Sequence, residues 1–234
     1  MTRILRVVDL GLCAYRPVLK LQERFVELRK SGTINDTIIL VEHLPVYTLG
    51  RRAREENVVA SATQRKQWNI EVVSTGRGGD VTYHGPGQLV GYPIIKLSEF
   101  GKGPGWYVDR LEESIIRTLK CFSIEGKRDT INRGVWIGKN KVAAIGVRIS
   151  RGVTMHGFAL NVATNLEHYA GIIPCGIHNC GITSVAQLRE NVSMREVKKQ
   201  FLDVFEAVFG YTLLEKDDKV ICEQMSIEIK NDNA

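Results

Sequence analysis

Residues 77 to 95 read Arg-Gly-Gly-Asp-Val-Thr-Tyr-His-Gly-Pro-Gly-Gln-Leu-Val-Gly-Tyr-Pro-Ile-Ile. Glycine allows positive φ and close backbone approach, and Pro86 stiffens the turn between two of the glycines. The run from Leu89 to Ile95 predicts a buried strand. The stretch therefore predicts a backbone wall that lies against a ligand. The side chains left for chemistry are those of Arg77, Asp80, Thr82, Tyr83, His84 and Gln88.

Three later segments follow this stretch. Residues 138–149 read Gly-Lys-Asn-Lys-Val-Ala-Ala-Ile-Gly-Val-Arg-Ile, and residues 156–162 read His-Gly-Phe-Ala-Leu-Asn-Val. The third combines Ile-Pro-Cys-Gly-Ile at 173–177 with Gly-Ile-Thr-Ser-Val at 181–185. In this order the motifs resemble those of the lipoyl(octanoyl) transferases, members of the biotin/lipoyl protein ligase superfamily. The resemblance covers roughly residues 3 to 210.

Acyl transfer between two carriers needs a nucleophile that holds the acyl group and later leaves, and a thiolate does both. Cys175 is the candidate, because Pro174 and Gly176 turn the chain sharply around it. A lone cysteine is more often a small buried hydrophobe. Cys180 repeats the local Cys-Gly-Ile pattern, so spacing does not choose between the two cysteines. The resemblance implies that Cys175 carries the acyl thioester.

The thiol also needs activation, because only a small fraction of a free thiol is ionised near neutral pH. Most lysines are solvated charges, but the resemblance implies a Cys-Lys dyad in which Lys141, and not Lys139, partners Cys175. In a dry pocket a lysine lowers the pKa of a thiol as an ammonium, or accepts its proton as an amine.

The resemblance further implies the walls of an acyl and pantetheine pocket. Backbone amides of the glycines are available to a carbonyl oxygen or oxyanion, and small residues at 144–146 leave room for an eight-carbon chain. The implied substrate-binding residues are Arg77, Gly78, Gly79, Asp80, Val81, Thr82, Tyr83, His84, Ala144, Ile145, Gly146, Gly157, Phe158 and Ala159.

The histidines are interpreted mainly as structural. His84 is read as an orienting hydrogen-bond partner in preference to a general base, because histidines in glycine-rich turns most often have that role. His156 is also read as structural, and so are His43 and His168, which lie in no motif. No role is assigned to the charge of Asp80.

The bulk properties set limits on the class of protein. A chain of 234 residues with 44% hydrophobic residues predicts one domain, or at most two, with a substantial core. No apolar run has the length of a membrane span and the N-terminus lacks a signal-peptide pattern, so we expect a cytoplasmic protein, or a mitochondrial one in a eukaryote. Five scattered cysteines predict reduced thiols, and the ligands around His178 are too few to support zinc.

The net charge of +6 favours an acidic partner. Nucleic acid is disfavoured, because the Lys and Arg residues are dispersed and form no stripe with aromatic residues. The resemblance implies acidic protein substrates instead: octanoyl-acyl carrier protein as the donor, and lipoyl domains of E2 subunits and the glycine cleavage H protein as acceptors. It implies no cofactor and no metal, and we expect a monomer that has no membrane partner.

The periodicity of apolar residues predicts the elements. Helices are predicted over 18–31, 106–121 and 193–210, the last opened by a capping box, and strands over 36–42, 70–74, 89–95, 134–137, 142–149 and 153–162. This alternation favours an α/β class with a mixed sheet. The resemblance implies a biotin/lipoyl protein ligase-like fold, in which helices flank a mixed sheet and a small C-terminal sheet element is added. We expect a catalytic domain over 1–214, and a tail over 215–234 that is either a strand pair or frayed.

The resemblance thus implies a transferase that moves an octanoyl group onto Cys175 and then onto a lysine of a lipoyl domain. No nucleotide is needed, because the thioester is already activated. The first alternative is an ATP-dependent lipoate-protein or biotin ligase, which forms an acyl-adenylate and does not require the Cys175 thiol. The second is a non-catalytic scaffold that binds acyl groups or lipoyl domains without turnover.

Overall fold

The architecture is taken from a computed structural model, which describes residues 3–129, 131–173 and 181–216. Within these residues twelve strands and five helices are assigned. The strands are β1 (Ile4–Cys13), β2 (Asp36–His43), β3 (Val46–Leu49), β4 (Glu71–Ser74), β5 (Val81–His84), β6 (Gln88–Ile94), β7 (Lys127–Arg128), β8 (Val135–Ile137), β9 (Asn140–Ser150), β10 (Val153–Asn161), β11 (Gly181–Ile182) and β12 (Leu213–Lys216). The helices are α1 (Tyr15–Lys30), α2 (Ala62–Gln67), α3 (Pro104–Cys121), α4 (Val185–Leu188) and α5 (Met194–Phe209).

Nine of the described strands form one mixed sheet. Its order is β12-β1-β2-β6-β10-β9-β8-β7, and β11 pairs with β9 away from this path. The β12, β1 and β2 strands are mutually parallel, whereas the neighbours from β2 through β6, β10, β9 and β8 to β7 are antiparallel. The β2 strand is central and its apolar run is fully buried, as a strand with both faces covered requires.

Helices cover both faces of this sheet. On one face α1 packs its Val18, Leu21 and Phe25 against β6 and β10. On the other face α3 and α5 pack against each other and bury a core that includes Phe201 and Phe205. The α5 helix begins at the predicted capping box and ends at Gly210, whose φ of 73° suits glycine at a helix C-terminus.

A second sheet of three strands has the order β4-β3-β5. It has its own core, which includes Tyr47, Val81 and Tyr83. The chain passes from this sheet to the main sheet through the turn at 85–87, where β5 ends and β6 begins. The glycine-rich stretch at 77–95 therefore joins the two sheets.

The predicted class, a mixed sheet flanked by helices with a smaller sheet beside it, is confirmed. The smaller sheet comes from residues 46–84 and not from the C-terminal part of the chain, where the described strand β12 extends the main sheet by pairing with β1. The expected boundary between 214 and 215 falls inside β12, and residues 217–234 lie outside the described part. No helix among the described residues is long and apolar enough to cross a membrane.

Candidate active site

A pocket lies between the two sheets. One wall comes from β9 and β10 of the main sheet, and the other comes from β5 and the loop that precedes it. Of the predicted site residues, it is lined by Lys141, Arg77, Gly79, Asp80, Val81, Thr82, His84, Ala144, Ile145, Gly146, Gly157, Phe158 and Ala159. The other lining residues are Tyr15, Tyr92, Arg133, His156, Asn161, Tyr169 and Ile182.

Three predicted site residues are placed elsewhere or are not described. Gly78 lines an outer cavity that adjoins the mouth of the pocket. Tyr83 does not line the pocket; it is buried in the core of the small sheet, and its hydroxyl lies 2.8 Å from His168 Nδ1. Cys175 lies outside the described residues.

Close backbone packing forms the junction of the two walls. Gly78 donates its N–H to the carbonyl oxygen of Val147 at 2.9 Å. A Cβ at Gly146 would stand 3.0 Å from the carbonyl oxygen of Gly78, so a larger residue would push the walls apart. Gly79 has a φ of 88°, which favours glycine at this position. The glycines of the motif therefore set the distance between the walls.

Arg77 fixes this loop from inside. It is 7% exposed and lies on the pocket wall. Its Nε donates to Thr48 Oγ1 at 3.0 Å, its Nη2 donates to the carbonyl oxygen of Thr48, and its Nη1 donates to that of Gly78 at 3.0 Å. The guanidinium thereby ties the glycine-rich loop to the middle strand of the small sheet.

A buried amide network continues from His84 to Thr183, the residue that follows β11. His84 Nδ1 lies 2.8 Å from Gln88 Oε1, and Gln88 Nε2 donates to Asn161 Oδ1 at 2.9 Å and to Tyr169 OH at 3.1 Å. Asn161 Nδ2 donates to the carbonyl oxygen of Thr183 at 3.1 Å. The network thus couples the glycine-rich turn to the chain that follows residue 180.

Burial keeps the imidazoles of this region neutral at pH 7. Burial lowers the pKa of His84 well below its ordinary value, with a smaller effect of nearby His43. It lowers the pKa of His43 to about 4. Burial, with Arg77 and Arg148 nearby, lowers the pKa of His156 to about 3. His84 is thus a neutral imidazole that is hydrogen-bonded to Gln88, and its orienting role stays a prediction.

Lys141 lies at the mouth, where it lines both the pocket and the outer cavity. Its Nζ donates to the carbonyl oxygen of Arg133 at 3.2 Å and stands 4.6 Å from the centre of the Trp136 ring. Lys139 lies exposed in the turn between β8 and β9. Of the two lysines in the motif, only Lys141 lines the pocket.

Hydrogen bonds hold both flanks of the segment that contains Cys175. Ahead of it, the N–H of Ile173 donates to the carbonyl oxygen of Asn57 at 2.8 Å. Behind it, β11 pairs in parallel with β9 in a register that places Ile182 opposite Lys141. The N–H of Thr183 donates to the carbonyl oxygen of Lys141 at 3.0 Å. The chain therefore returns to the side of Lys141 directly after residue 180.

Sequence reasoning missed several residues of the pocket. Tyr15 comes from α1, and no local pattern places it near the glycine-rich loop. Tyr92 lies within the glycine-rich stretch itself but was not assigned to the site. Asn161 did carry a signal, because it is a polar residue at the end of an apolar strand. Buried polar groups need partners. Asn161 therefore could have been assigned to a network.

Comparisons with known proteins identify the family of this chain. Residues 14–206 match the model of the lipoyl protein ligase A/B catalytic domain. The chain belongs to this family. Relatives named octanoyltransferase include one from Alkaliphilus metalliredigens, 46% identical over 90% of this chain and 98% of its own. Another, from Solibacter usitatus, is 45% identical over 88% of this chain and 93% of its own.

The fold of the lipoyl protein ligase A/B family is also seen in solved structures. A bi-partite lipoate protein ligase from Thermoplasma acidophilum, analysed with its E2 lipoyl domain, superposes with a TM-score of 0.72. The match covers 97% of this chain and 91% of that chain at 14% identity. The predicted fold family is thereby confirmed, and the resemblance read from the motifs is confirmed by the relatives.

Proposed function

We propose that this protein is an octanoyltransferase of lipoate biosynthesis, which takes an octanoyl group from acyl carrier protein and passes it to a lysine of a lipoyl domain. The octanoyltransferases that it matches are 40–46% identical to it over most of this chain. The observation that carries the proposal is the placement of Lys141 on the pocket wall, beside the strand that directly follows the Cys175 segment.

In the first half-reaction, the Cys175 thiolate attacks the carbonyl carbon of the octanoyl thioester. The bond from that carbon to the sulfur of the carrier breaks, and the carrier leaves as a thiol. Lys141 favours the thiolate as an ammonium or accepts the thiol proton as an amine. Support comes from the chain that follows the cysteine segment, since Ile182 stands opposite Lys141 in the strand pair and the N–H of Thr183 donates to the carbonyl oxygen of Lys141.

In the second half-reaction, the ε-amine of the lipoyl-domain lysine attacks the Cys175 thioester. An amide bond forms, the carbon–sulfur bond breaks, and the Cys175 sulfur regains a proton. The backbone N–H groups of the glycine-rich loop are the candidate donors to the oxyanion of both steps. No part of this scheme uses a nucleotide.

The pocket walls are suited to a saturated chain. Phe158, Ala159, Ala144 and Ile145 supply apolar surface from the paired strands β9 and β10. Tyr15 and Tyr92 supply aromatic surface. Burying an alkyl chain against such walls releases about 0.8 kcal/mol for each methylene group.

The partners follow from the same reaction. We propose octanoyl-acyl carrier protein as the donor, and the lipoyl domains of E2 subunits and the glycine cleavage H protein as acceptors. The net charge of +6 supports acidic carriers. A monomer in the cytoplasm is the proposed working state.

The intact mass of the protein after incubation with octanoyl-acyl carrier protein, without ATP, tests this function. One added octanoyl group is expected, and it should transfer to a lipoyl domain added later. A ligase would give no adduct until ATP and free acid are supplied. A scaffold would bind the carrier and leave its acyl group in place, so either result would overturn the proposal.

A further inference from the structure

His156 differs from the other described histidines in the use of its ring. His43, His84 and His168 each place a ring nitrogen within 2.8 Å of a hydroxyl or amide oxygen. His156 lines the pocket and is 1% exposed, yet neither of its ring nitrogens has a hydrogen-bond partner in the described part of the chain. Two polar atoms on a buried wall are therefore left for a ligand or for water.

The backbone presents this ring at an energetic cost. His156 has a φ of 58°, a left-handed conformation that side-chain-bearing residues rarely adopt within a strand. Its N–H donates to Gln22 Oε1 at 3.0 Å, and this bond from α1 holds the conformation. Gln22 is fully buried, and its own amide nitrogen has no partner among the described residues. The imidazole of His156 and the amide nitrogen of Gln22 thus both call for a hydrogen-bond partner here.

The chemistry of the ring defines what it accepts. A neutral imidazole offers one N–H donor and one acceptor nitrogen. An alkyl chain that reaches it displaces water and satisfies neither atom, which is unfavourable. A hydroxyl group both donates and accepts, so it replaces the displaced water.

His156 lies away from the reacting end of the pocket. Lys141 at the mouth lines both the pocket and the outer cavity, whereas His156 lines only the pocket. In the strand pair, His156 stands opposite Val147, near the end of β9 that is remote from Lys141. Tyr92 accompanies it, with ring centres 6.5 Å apart.

We propose that His156 is a specificity residue at the inner end of the acyl pocket. It favours acyl chains that end short of the imidazole, and among chains long enough to reach it, those that carry a hydroxyl group there. This proposal rests on the proposed acyl-transfer function. The ligand class is a medium-chain acyl group with a neutral hydrogen-bonding group in its distal part.

The test compares pantetheine thioesters of octanoate, dodecanoate and 12-hydroxydodecanoate as donors, with kcat/KM of transfer as the readout. In the unmodified protein the hydroxylated chain should be preferred over dodecanoate. His156→Leu should lower that preference about tenfold and improve dodecanoate relative to octanoate, because the unpaired nitrogens are gone. His156→Gly, which suits the positive φ, should have the same effect and covers the case in which the leucine variant does not fold.

Arg151→Leu is the matched control. Arg151 is exposed at the turn between β9 and β10 and has a φ of 48°, so it carries the same backbone strain without lining the pocket. The Arg151→Leu variant should show the same preferences among the three acyl thioesters as the unmodified protein. Identical preferences in the unmodified protein, His156→Leu and His156→Gly would overturn the inference.

Calorimetric binding of the free acids separates this inference from the proposed function. If octanoyl transfer occurs but the binding ratio of dodecanoate to 12-hydroxydodecanoate ignores residue 156, the inference fails and the function stands. If no donor is turned over but the ratio changes with residue 156, the transferase function fails and the polar inner end of the pocket is supported.

Discussion

The two ends of the pocket differ in how their polar groups are satisfied. The inner wall carries Arg77 and His84, and Gln88 is hydrogen-bonded to His84; all three are at most 7% exposed and have backbone or side-chain partners. His156 on the same wall differs, because its ring nitrogens have no partner among the described residues. At the mouth, Arg133 forms ion pairs while about half of its side chain is exposed. Buried networks lock geometry because an unpaired group there is costly, whereas exposed ion pairs contribute little and adapt. We therefore expect the inner wall to keep a fixed geometry and the mouth to adapt to large partners.

The largest effect is expected from the proposed nucleophile. Cys175→Ala should abolish the octanoyl adduct and transfer to a lipoyl domain, because no thioester can form. Cys180→Ala should retain both. Intact-protein mass spectrometry decides the matter, and a stable adduct on the Cys175→Ala protein would remove Cys175 from the mechanism.

The second effect concerns activation of that thiol. Lys141→Ala should slow alkylation of Cys175 at neutral pH about tenfold, which corresponds to a rise of one unit in the thiol pKa. Lys139→Ala is the control, since Lys139 is exposed in the neighbouring turn. The rate is measured on the peptide that contains Cys175 from pH 6 to 9. Superimposable profiles for the unmodified protein and the Lys141 variant would refute the dyad.

The inner wall is probed by Gln88→Ala. The substitution leaves His84 Nδ1 and Asn161 Oδ1 without the Gln88 side chain, so the free energy of unfolding should fall by roughly 1–3 kcal/mol. Gln67→Ala, at an exposed position of α2, should change it by less than about 0.5 kcal/mol. Urea unfolding gives both values. Equal losses in the two variants would mean that the network does not fix the inner wall.

The inner wall also predicts a pH dependence. His43 and His156 have folded-state pKa values of about 4 and about 3, below the ordinary 6.5, so the unfolded chain binds their protons first. The contribution of these two histidines to the free energy of unfolding should therefore be complete above pH 6.5. It should fall as the pH is lowered toward 4, by roughly 1.4 kcal/mol per pH unit for each of them. Asparagine tolerates positive φ, so His156→Asn should keep the backbone conformation. It should reduce the dependence of the free energy of unfolding on pH by the contribution of one histidine. An unchanged slope in unfolding experiments between pH 6 and 4.5 would contradict the assignment.

The smallest effect belongs to the exposed surface at the mouth. Raising ionic strength should lower kcat/KM for octanoyl-acyl carrier protein several-fold, since salt limits the reach of electrostatic attraction between the two proteins to about 8 Å at 0.15 M. A small octanoyl thioester has no acidic surface to attract, so its rate should hardly change. Parallel salt curves for the two donors would show that the net charge of +6 serves another purpose.

Local signals were sufficient for the elements with strong periodicity. The capping box at Ser193 and Glu196 located the start of α5, and the apolar run in β2 identified a central strand. The small sheet was not predicted, because β3 and β5 have four residues each and depend on pairing with each other. Its pairing partners lie far apart in the sequence, and no short window contains that information.

Pocket residues that lie in the sequence motifs could be predicted, whereas those brought to the pocket by tertiary packing could not. The motifs placed Lys141 and Gly146 on one pocket, because both lie on a single strand. Tyr15 reaches the same pocket from α1 through tertiary packing alone. His156 was read as structural, and the structure adds that its ring faces the pocket. Only a three-dimensional arrangement shows that a buried polar group lacks a partner.

The brevity of β11 has a consequence for the dynamics of the protein. Two residue pairs join this strand to β9, at Gly181 with Asn140 and at Ile182 with Lys141. So short a strand opens by local fluctuation at a free energy far below that of global unfolding. Such an opening would detach the chain after residue 180 from Lys141 while both sheets stay folded. Amide hydrogen exchange at Thr183 therefore reports on assembly of the proposed reaction centre, independently of the stability of the fold.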